Sequence, residues 1–427
     1  MHLPFSKRRR MIGGLYFGPA GWQPMRWDRP SAPLAAVTLP RPAAAGGMVR
    51  CGQVLSPASS EETVDIVSPW AGVCDGREVV RGEREEPAFA TQPQIKTLHD
   101  LINLLQRAGI GVTNPHIPPL LAQLRQLKDG RARTIIVNML PQQPESMLPS
   151  ALSYLCMPEL VAGLMLLLRI LPARRTFAAL ERHDRRTLRL WRASLKRTNV
   201  AQVRLLNRYP QANPTILARR LAARRLPVGA IPTRAGILML DPVTLWAIGR
   251  FLVTGSPLVQ RPIEIFCSDQ APRIVLSPLG ASLQSLLASH GIATEGRQVI
   301  VNGIMSGTQA DAPYDVVGPS TQMISIRPPP LHEMPTPCIA CGWCVDHCPT
   351  ELNPIRLHDL SLQKSPLKSD EAFEARHCIG CGLCSYVCPT RLPLSQQILS
   401  LRGLARAEIK RLTGEGDIYL PPPGEEA

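Results

Sequence analysis

Hydrophobic positions along the chain alternate between two spacings, one of which suits strands and the other helices. Short apolar runs between glycines and prolines predict strands and turns from about 35 to 80. Beyond residue 95, helical and strand-like patterns follow one another. The predicted elements are a helix over 98–108, a strand at 134–137, a helix over 158–171, a strand at 236–240, a helix over 242–253, a hairpin over 261–276, a helix over 279–290, strands at 299–303 and 323–326, a capped helix starting at 369 and a helix over 394–412. This order predicts a multidomain α+β protein.

The basic residues of the chain are concentrated in one segment. The 427 residues carry a formal charge of +15, and eleven of the basic residues lie between Arg174 and Arg208, facing only Glu181 and Asp184. We interpret this segment as a basic helix with a solvated outer face, suited to an acidic redox protein or an anionic membrane surface. Nucleic acid is the weakest alternative, because no helix-turn-helix motif or set of stacking aromatic residues accompanies the charge.

Membrane insertion is not predicted from the apolar runs. The best run, Leu160–Leu168, ends at Arg169 and is far shorter than the roughly 20 residues that a span needs. The basic residues Lys7–Arg10 are not followed by the apolar core of a signal peptide. We therefore expect a cytoplasmic protein with reduced thiols, peripheral at the cytoplasmic face of the inner membrane if it is membrane-associated at all.

Cysteine spacing carries the most specific chemistry. Of 12 cysteines, eight form two copies of the pattern Cys-x-x-Cys-x-x-Cys-x-x-x-Cys-Pro. The first run holds Cys338, Cys341, Cys344 and Cys348, and the second holds Cys378, Cys381, Cys384 and Cys388. Each run ends in a proline, and a glycine follows the second cysteine of each. This is the spacing of a chain that ligates two [4Fe–4S] clusters.

The fourth cysteine of such a run commonly ligates the other cluster. We therefore predict that one cluster is held by Cys338, Cys341, Cys344 and Cys388, and the other by Cys378, Cys381, Cys384 and Cys348. Structural zinc is disfavoured because four thiols in one run are too crowded for one tetrahedral ion. Disulfides would need an oxidising compartment, for which the chain gives no sign. An exchange of this kind would tie the two runs into one folding unit.

Motifs upstream of the cysteines follow an order that resembles the C subunit of the Rnf electron-transport complex and the related cobalamin reductase of propanediol-utilising bacteria. The matching segments are 52–55 and 68–72, then 255–261 and 302–307, and finally the cysteine runs. The resemblance implies a barrel-sandwich-like β domain, a flavin- and NADH-binding α/β domain related to the complex I flavoprotein, a soluble-ligand-binding β-grasp domain and an α-helical dicluster ferredoxin module. The implied boundaries are 1–90, 91–258, 259–327 and 328–412, with a flexible tail over 413–427.

Three landmarks of the family's nucleotide site are altered in this chain. After Ala108-Gly109-Ile110, the expected glycine-rich loop reads Gly111–Pro119 with three prolines, so it cannot present the usual cradle of amides to phosphate. The family's Asn-x-x-Glu-Cys-Glu-Pro becomes Asn138–Pro144 without either acid. Tyr-Pro-Gln-Gly becomes Tyr209–Ala212. These changes argue against bound FMN and NADH, although a divergent loop that still holds FMN by other contacts is the open alternative.

The leading functional hypothesis is an iron–sulfur subunit of an Rnf-type membrane-associated oxidoreductase complex. It would relay electrons between other subunits and a flavoprotein or ferredoxin, with no catalytic residue of its own. The first alternative is an NAD(P)H-dependent FMN and iron–sulfur reductase of the cobalamin-reductase type. The second is a redox-sensing iron–sulfur protein, and no DNA-reading module supports it.

Overall fold

A computed structural model describes residues 15–16, 27–44, 46–58, 64–82, 94–127, 131–222, 232–329, 334–363 and 374–413. The predicted capped helix starting at 369 lies outside the described residues. So do the basic residues 7–10 and the predicted tail from 414 onward.

The middle of the chain forms a four-stranded parallel sheet. Its strands are β9 (Thr134–Asn138), β10 (Arg175–Glu181), β11 (Val200–Leu205) and β13 (Ile237–Leu240), in the order β11-β10-β9-β13. Every residue of β9 is buried, as its unbroken apolar run predicts. Strand β12 (Arg208–Tyr209) pairs with β1 (Leu15–Tyr16) beside this sheet. Ligands bind at the carboxyl ends of strands in sheets of this kind. The loops that follow β9 and β11 lie beside the second cysteine run.

Helices cover both faces of the parallel sheet and give it two apolar cores. They are α1 (Leu98–Arg107), α2 (Leu120–Arg125), α3 (Leu148–Leu155), α4 (Met157–Ile170), α5 (Arg185–Ser194), α6 (Pro214–Leu221) and α7 (Pro242–Thr254). The predicted helices α1, α4 and α7 are confirmed to within one residue at each end. Thr97 and Asp100 form a capping box at α1, and Asp241 caps α7.

The interpretation of the basic segment Arg174–Arg208 as one helix is wrong. The segment runs through strand β10, helix α5 and strand β11. The apolar stretch Phe177–Leu180 is buried in the sheet, and this pairing outweighs the flanking charges. Only the middle of the segment is helical, and Leu188 and Trp191 bury its inner face.

A second, six-stranded sheet follows, in the order β17-β16-β18-β14-β15-β2. Its strands are β2 (Trp27–Asp28), β14 (Gln260–Cys267), β15 (Arg273–Pro278), β16 (Gln298–Val301), β17 (Thr308–Ala310) and β18 (Met323–Arg327). The hairpin β14–β15 is confirmed, and β14 and β18 pair in parallel. Helix α8 (Leu283–Ser289) is shorter than predicted, because Ser282 caps it after a left-handed turn at Gly280.

Short antiparallel strands near the N-terminus pack against this second sheet. One small sheet is β3 (Ala36–Thr38), β8 (Glu78–Arg81), β7 (Gly72–Cys74) and β4 (Gly47–Val49), and a two-stranded ribbon is β5 (Val54–Ser56) with β6 (Ile66–Val67). Their buried residues share one core with β14, β15 and α8. The strand predictions between 35 and 80 are confirmed.

A buried carboxylate links the two larger sheets. Oε2 of Glu264 on β14 accepts hydrogen bonds from the backbone N–H of Met147 at 2.8 Å and of Leu148 at 3.0 Å, at the start of α3. Burial raises the pKa of Glu264 to about 7. Because an acceptor at a helix N-terminus satisfies otherwise unpaired amides, Glu264 fixes the parallel-sheet unit onto the second sheet.

The C-terminal part is helical and carries the cysteine runs. It comprises α9 (Trp343–Asp346), α10 (Pro354–Leu362), a 3-10 turn (Glu374–His377), α11 (Leu383–Tyr386) and α12 (Leu394–Thr413). Its small core includes Leu357, Leu394, Ile398 and Leu401. The predicted helix over 394–412 is confirmed.

Among the described residues, no single helix meets the length and hydropathy that a membrane span requires. Helices α3 and α4 together would, but they bend by 95° at their junction.

Candidate iron–sulfur centre

The two cysteine runs fold into nearly identical loops. Gly342 has φ 77° and ψ −8°, and Gly382 has φ 76° and ψ −8°, each immediately before a short helix. Two residues earlier, Ala340 and Gly380 are also left-handed, with φ 54° and 66°. These turns bend the backbone of the two runs in the same way. The left-handed conformation is unfavourable for alanine by about 1 kcal/mol, so the rest of the loop must stabilise it at Ala340.

The repeat continues beyond the fourth cysteine of each run. The Thr350 hydroxyl lies 3.5 Å from the sulfur of Cys348, and the Thr390 hydroxyl lies 3.2 Å from the sulfur of Cys388. The backbone N–H of Leu352 donates to the Cys348 sulfur at 3.3 Å. Donors aimed at sulfur stabilise a thiolate, the form that binds metal. The Cys-Pro-Thr repeat was visible in the sequence and could have predicted these donors.

Hydrogen bonding around Cys388 is strong enough to change its acidity. Burial alone would raise the pKa of Cys388, but donors from the Thr390 side chain and from the backbone of Leu392, Thr390 and Arg391 outweigh it, and the pKa is lowered. These donors stabilise the thiolate form of Cys388 more than burial destabilises it.

The structure brings Cys348 to the second run, as the ligand exchange requires. Burial raises the pKa of Cys381 well above its ordinary value, and the neighbouring Cys378, Cys384 and Cys348 add to the effect. Burial raises the pKa of Cys384 to about 12, with contributions from Cys378 and from Cys348 and Cys344 of the first run. Three sulfurs of the second run thus share their surroundings with the last sulfur of the first.

On the other side, the loop after Cys388 lies against the first run. The backbone N–H of Thr336, two residues before Cys338, donates to the carbonyl of Thr390 at 3.1 Å. Burial raises the pKa of Cys344, and Cys341 contributes to the rise. The segment after the second run therefore contacts the segment before the first run.

This donor set fits iron–sulfur clusters. Thiols of both runs line the apolar core of the C-terminal part: Cys344, Cys348, Cys378, Cys384 and Cys388. Buried thiols stay protonated unless a cationic group replaces the proton, and iron is such a group. Within the described ranges, no three His, Cys, Asp or Glu side chains converge on a point that would hold a single metal ion. A cubane needs no such convergence, because its four thiolates are spread over its irons.

The two loops differ sharply in what surrounds them. A Cβ on Gly382 would lie 1.8 Å from the carbonyl oxygen of Met305, whereas a Cβ on Gly342 would meet nothing within 4 Å. The Tyr209 hydroxyl donates to the carbonyl of Cys381 at 2.7 Å. The second loop is thus packed against the body of the protein, whereas Gly342 in the first loop has no such contact with the part of the chain that the structure describes. Sequence reasoning missed Tyr209 and Met305 here, because no local pattern marks a contact across more than 70 residues.

The altered glycine loop is held by contacts inside the protein. The guanidinium of the fully buried Arg261 donates to the carbonyl of Thr113 at 3.0 Å, and the Thr113 hydroxyl donates to Asp241 at 2.9 Å. The Asn114 side chain accepts a hydrogen bond from the backbone N–H of His116 at 2.8 Å. Burial lowers the pKa of His116 to about 4, so its ring is neutral at physiological pH. The backbone N–H groups of Gly111, His116 and Ile117 thus already have acceptors within the protein.

The altered acid motif likewise has an internal partner. Gln143 donates from Nε2 to the Ser306 hydroxyl at 2.6 Å and accepts at Oε1 from the backbone N–H of Met305 at 3.3 Å. Its side chain fills the space beside Gly303, where a Cβ would lie 2.3 Å from the Gln143 Cγ. This residue therefore locks the loop 303–306 that covers the second cysteine loop.

A small cleft remains where the three altered landmarks meet the second cysteine run. Its empty volume is about 230 Å³, part of it open to solvent. It is lined by His116, Gln142, Tyr209, Pro210, Asn213, Ser306, Ile379, Gly380 and Cys381.

Comparison with known proteins agrees with this geometry. A model of the 4Fe-4S dicluster domain family matches residues 337–392, which contain both cysteine loops. The C-terminal part therefore belongs to the class of dicluster iron–sulfur domains.

Relatives that align with most of this chain, including the part before the cysteine runs, are also known. The chain is 27% identical over 343 residues to the C subunit of the ion-translocating oxidoreductase complex of Vibrio cholerae, covering 73% of this chain and 44% of that protein. It is 24% identical over 317 residues to the C subunit of the proton-translocating ferredoxin:NAD(+) oxidoreductase complex of Clostridium ljungdahlii, covering 70% and 68%. The resemblance to the C subunit of the Rnf type is confirmed, although the chain spans less than half the length of the Vibrio relative.

One solved structure is also similar in part. The NAD+-reducing [NiFe]-hydrogenase in the H2-reduced state aligns with a TM-score of 0.49 and 14% identity, covering 74% of this chain and 67% of that one. This likeness is too weak to add to the assignment.

Proposed function

We propose that this chain is an iron–sulfur electron-transfer subunit of a membrane-associated, ion-translocating oxidoreductase complex of the Rnf type. It relays electrons one at a time through two [4Fe–4S] clusters. The observation that carries the proposal is the pair of matching cysteine loops packed in one helical module. The dicluster family match and the relatives named above support it.

The proposed ligands follow the exchange. Cys338, Cys341, Cys344 and Cys388 hold cluster 1, and Cys378, Cys381, Cys384 and Cys348 hold cluster 2. The proximity of Cys348 to Cys381 and Cys384 supports the second set. The contact between Thr336 and Thr390 supports the first.

The chain's own residues set the conditions for electron transfer. When bound, each cluster supplies a one-electron redox centre. Thr350, Thr390 and the backbone amides around them donate to the thiolates and stabilise their negative charge. The core around Leu357 and Leu394 keeps water from the inner sides of both sites. Tyr209 fixes the backbone of Cys381 and so positions cluster 2 against the rest of the chain.

The remaining parts serve as a scaffold in this proposal. We propose the division into 1–90, 91–258, 259–327, 328–412 and a tail. Separate apolar cores support the parts 91–258 and 328–412, whereas 1–90 and 259–327 share one core, and β2 from the first part joins the second sheet. The parallel pairing of β14 with β18, between β15 and β16, supports a β-grasp unit. The strands between Ala36 and Arg81 support a barrel-sandwich-like unit.

FMN and NADH are not part of the proposed mechanism. The loop Gly111–Pro119 is tied to Arg261 and Asp241, and Gln143 fills the space beside Gly303. The former nucleotide site supports the cluster module instead.

The proposed location is peripheral, at the cytoplasmic face of the inner membrane, in contact with other subunits. Helix α5 supports this by presenting a row of exposed cations to solvent. They are Arg185, Arg186, Arg189 and Arg192, with Arg182, Lys196 and Arg197 beside them. Such a row is attracted to anionic lipid or to an acidic protein of the complex.

Electron uptake by the anaerobically purified full chain tests this function. Titration with dithionite-reduced methyl viologen should bleach both clusters with about two electrons per chain, and a soluble ferredoxin should exchange electrons with the reduced chain. NADH alone should cause no bleaching. Bleaching by NADH alone would instead establish the reductase alternative, and failure to accept electrons from any donor would refute the relay.

A further inference from the structure

The two cysteine loops offer an internal comparison, because equivalent positions have identical backbone but different surroundings. Ile379 and Leu383 in the second loop are 9% and 0% exposed. Their equivalents in the first loop, Ile339 and Trp343, are 65% and 53% exposed. The same apolar face is therefore buried in one loop and open in the other.

The cover of the second loop shows what this face accepts. Leu383 packs in one apolar cluster with Tyr209 and Met305, and Ile304 lies beside them. The Met305 carbonyl approaches Gly382 so closely that a Cβ there would lie 1.8 Å away. The face thus receives a protein loop with apolar side chains and close backbone contact.

The open face is uncharged as well as apolar. Residues 334–343 (Met-Pro-Thr-Pro-Cys-Ile-Ala-Cys-Gly-Trp) are all exposed, and none of them is charged, in a chain of net charge +15. Met334 is 84% exposed. Cys338 and Cys341 are themselves exposed, unlike the cysteines of the second loop. Exposed apolar patches of this kind mark protein contacts, and tryptophan is the residue type that contributes most in them.

We propose that this first loop, defined by residues 334–343, is the docking surface for a separate redox protein that presents an uncharged apolar loop next to its own one-electron cofactor. The proposal rests on the relay function above and adds which cluster meets the partner. Cluster 1 exchanges electrons with the partner protein, and cluster 2 lies on the inner side, where Tyr209 and Met305 hold its loop against the body of the chain. The partner packs on the first loop in the way that Tyr209, Ile304 and Met305 of this chain pack on the second loop.

Stopped-flow electron exchange tests the proposal with the full chain. The reduced chain is mixed with membranes from a source strain that lacks its gene, and cluster re-oxidation is followed. Methyl viologen serves as a small acceptor that needs no docking. Variants Trp343→Ser and Ile339→Ser should slow re-oxidation by the membranes roughly tenfold or more, as expected for loss of a central apolar contact. They should leave the methyl viologen rate and the iron content unchanged.

Two further variants make the result specific. Leu362→Ser removes a side chain that is 62% exposed, comparable to Ile339 but outside both loops, and should exchange at the wild-type rate. Trp343→Leu installs the residue that the second loop already holds at this position, so the loop keeps its fold. It should give an intermediate rate.

The possible results distinguish the docking surface from the relay function. Equal membrane rates for wild type, Trp343→Ser and Trp343→Leu would overturn the docking surface and leave the relay intact. A wild-type chain that exchanges with methyl viologen but never with membranes or ferredoxin would refute the proposed function itself. Sedimentation that shows a wild-type dimer, lost in Trp343→Ser, would overturn the separate partner in favour of a second copy of this chain.

Discussion

Removing Cys348 is expected to destroy the cluster that is bound mainly by the other cysteine run. In a Cys338→Ser/Cys341→Ser background, cluster 1 has lost two ligands, so about four irons should remain on the chain. Adding Cys348→Ser should remove these as well. Adding Cys388→Ser should leave them in place, because Cys388 serves the cluster that is already lost. Iron content and the electron paramagnetic resonance signal of the reduced protein measure both results.

The reverse pattern would show that each run holds its own cluster without exchange. In that case Cys388→Ser would remove the last four irons, and Cys348→Ser would have no effect. Cys51→Ser is a matched control in the same background, because Cys51 lies far along the chain and its sulfur contacts the carbonyl of Pro69, which a serine hydroxyl can also reach. It should change neither the iron content nor the signal.

Substituting the two loop glycines by alanine should give very different losses of stability. Gly342→Ala and Gly382→Ala both place a Cβ on a left-handed residue, at about 1–2 kcal/mol. Only Gly382→Ala also drives that Cβ to within 1.8 Å of the Met305 carbonyl. Backbone overlap of this kind adds about 1–3 kcal/mol, so we expect Gly382→Ala to be the clearly less stable variant.

Thermal melting of the anaerobic holoprotein measures this difference, with limited proteolysis to locate it. Gly382→Ala should melt several degrees below Gly342→Ala and should expose the junction between the cluster module and the loop 303–306 to protease. Equal melting temperatures would show that the second loop does not rest on the body as the structure has it.

Sequence patterns predicted the elements of this molecule that are determined by residues close together in the sequence. Cysteine spacing located both loops, and helical spacing located α1, α4, α7 and α12, because each of these is set by residues a few positions apart. The segment 174–208 was misread, because many of its cations lie on helix α5, between two strands. A count of cations does not reveal the strands, whereas the apolar stretch Phe177–Leu180 and the alternating burial of Val200–Leu205 do.

The difference between the two cysteine loops could not be predicted in this way. Their sequences are nearly equivalent, and only the tertiary fold brings Tyr209 and Met305 to one of them. The same holds for Gln143. Its sequence showed that an acid was missing, and only the structure shows that its amide now binds Ser306 and Met305. Gln143 thereby supports the loop 303–306 that packs on the second cysteine loop.

Cofactor content of the full chain, purified without oxygen, tests the central claim most directly. Iron, acid-labile sulfide and flavin are measured on the same sample. The account predicts about eight irons and about eight sulfides per chain, with no flavin released on denaturation. One flavin per chain, or zinc in place of iron and sulfide, would contradict it.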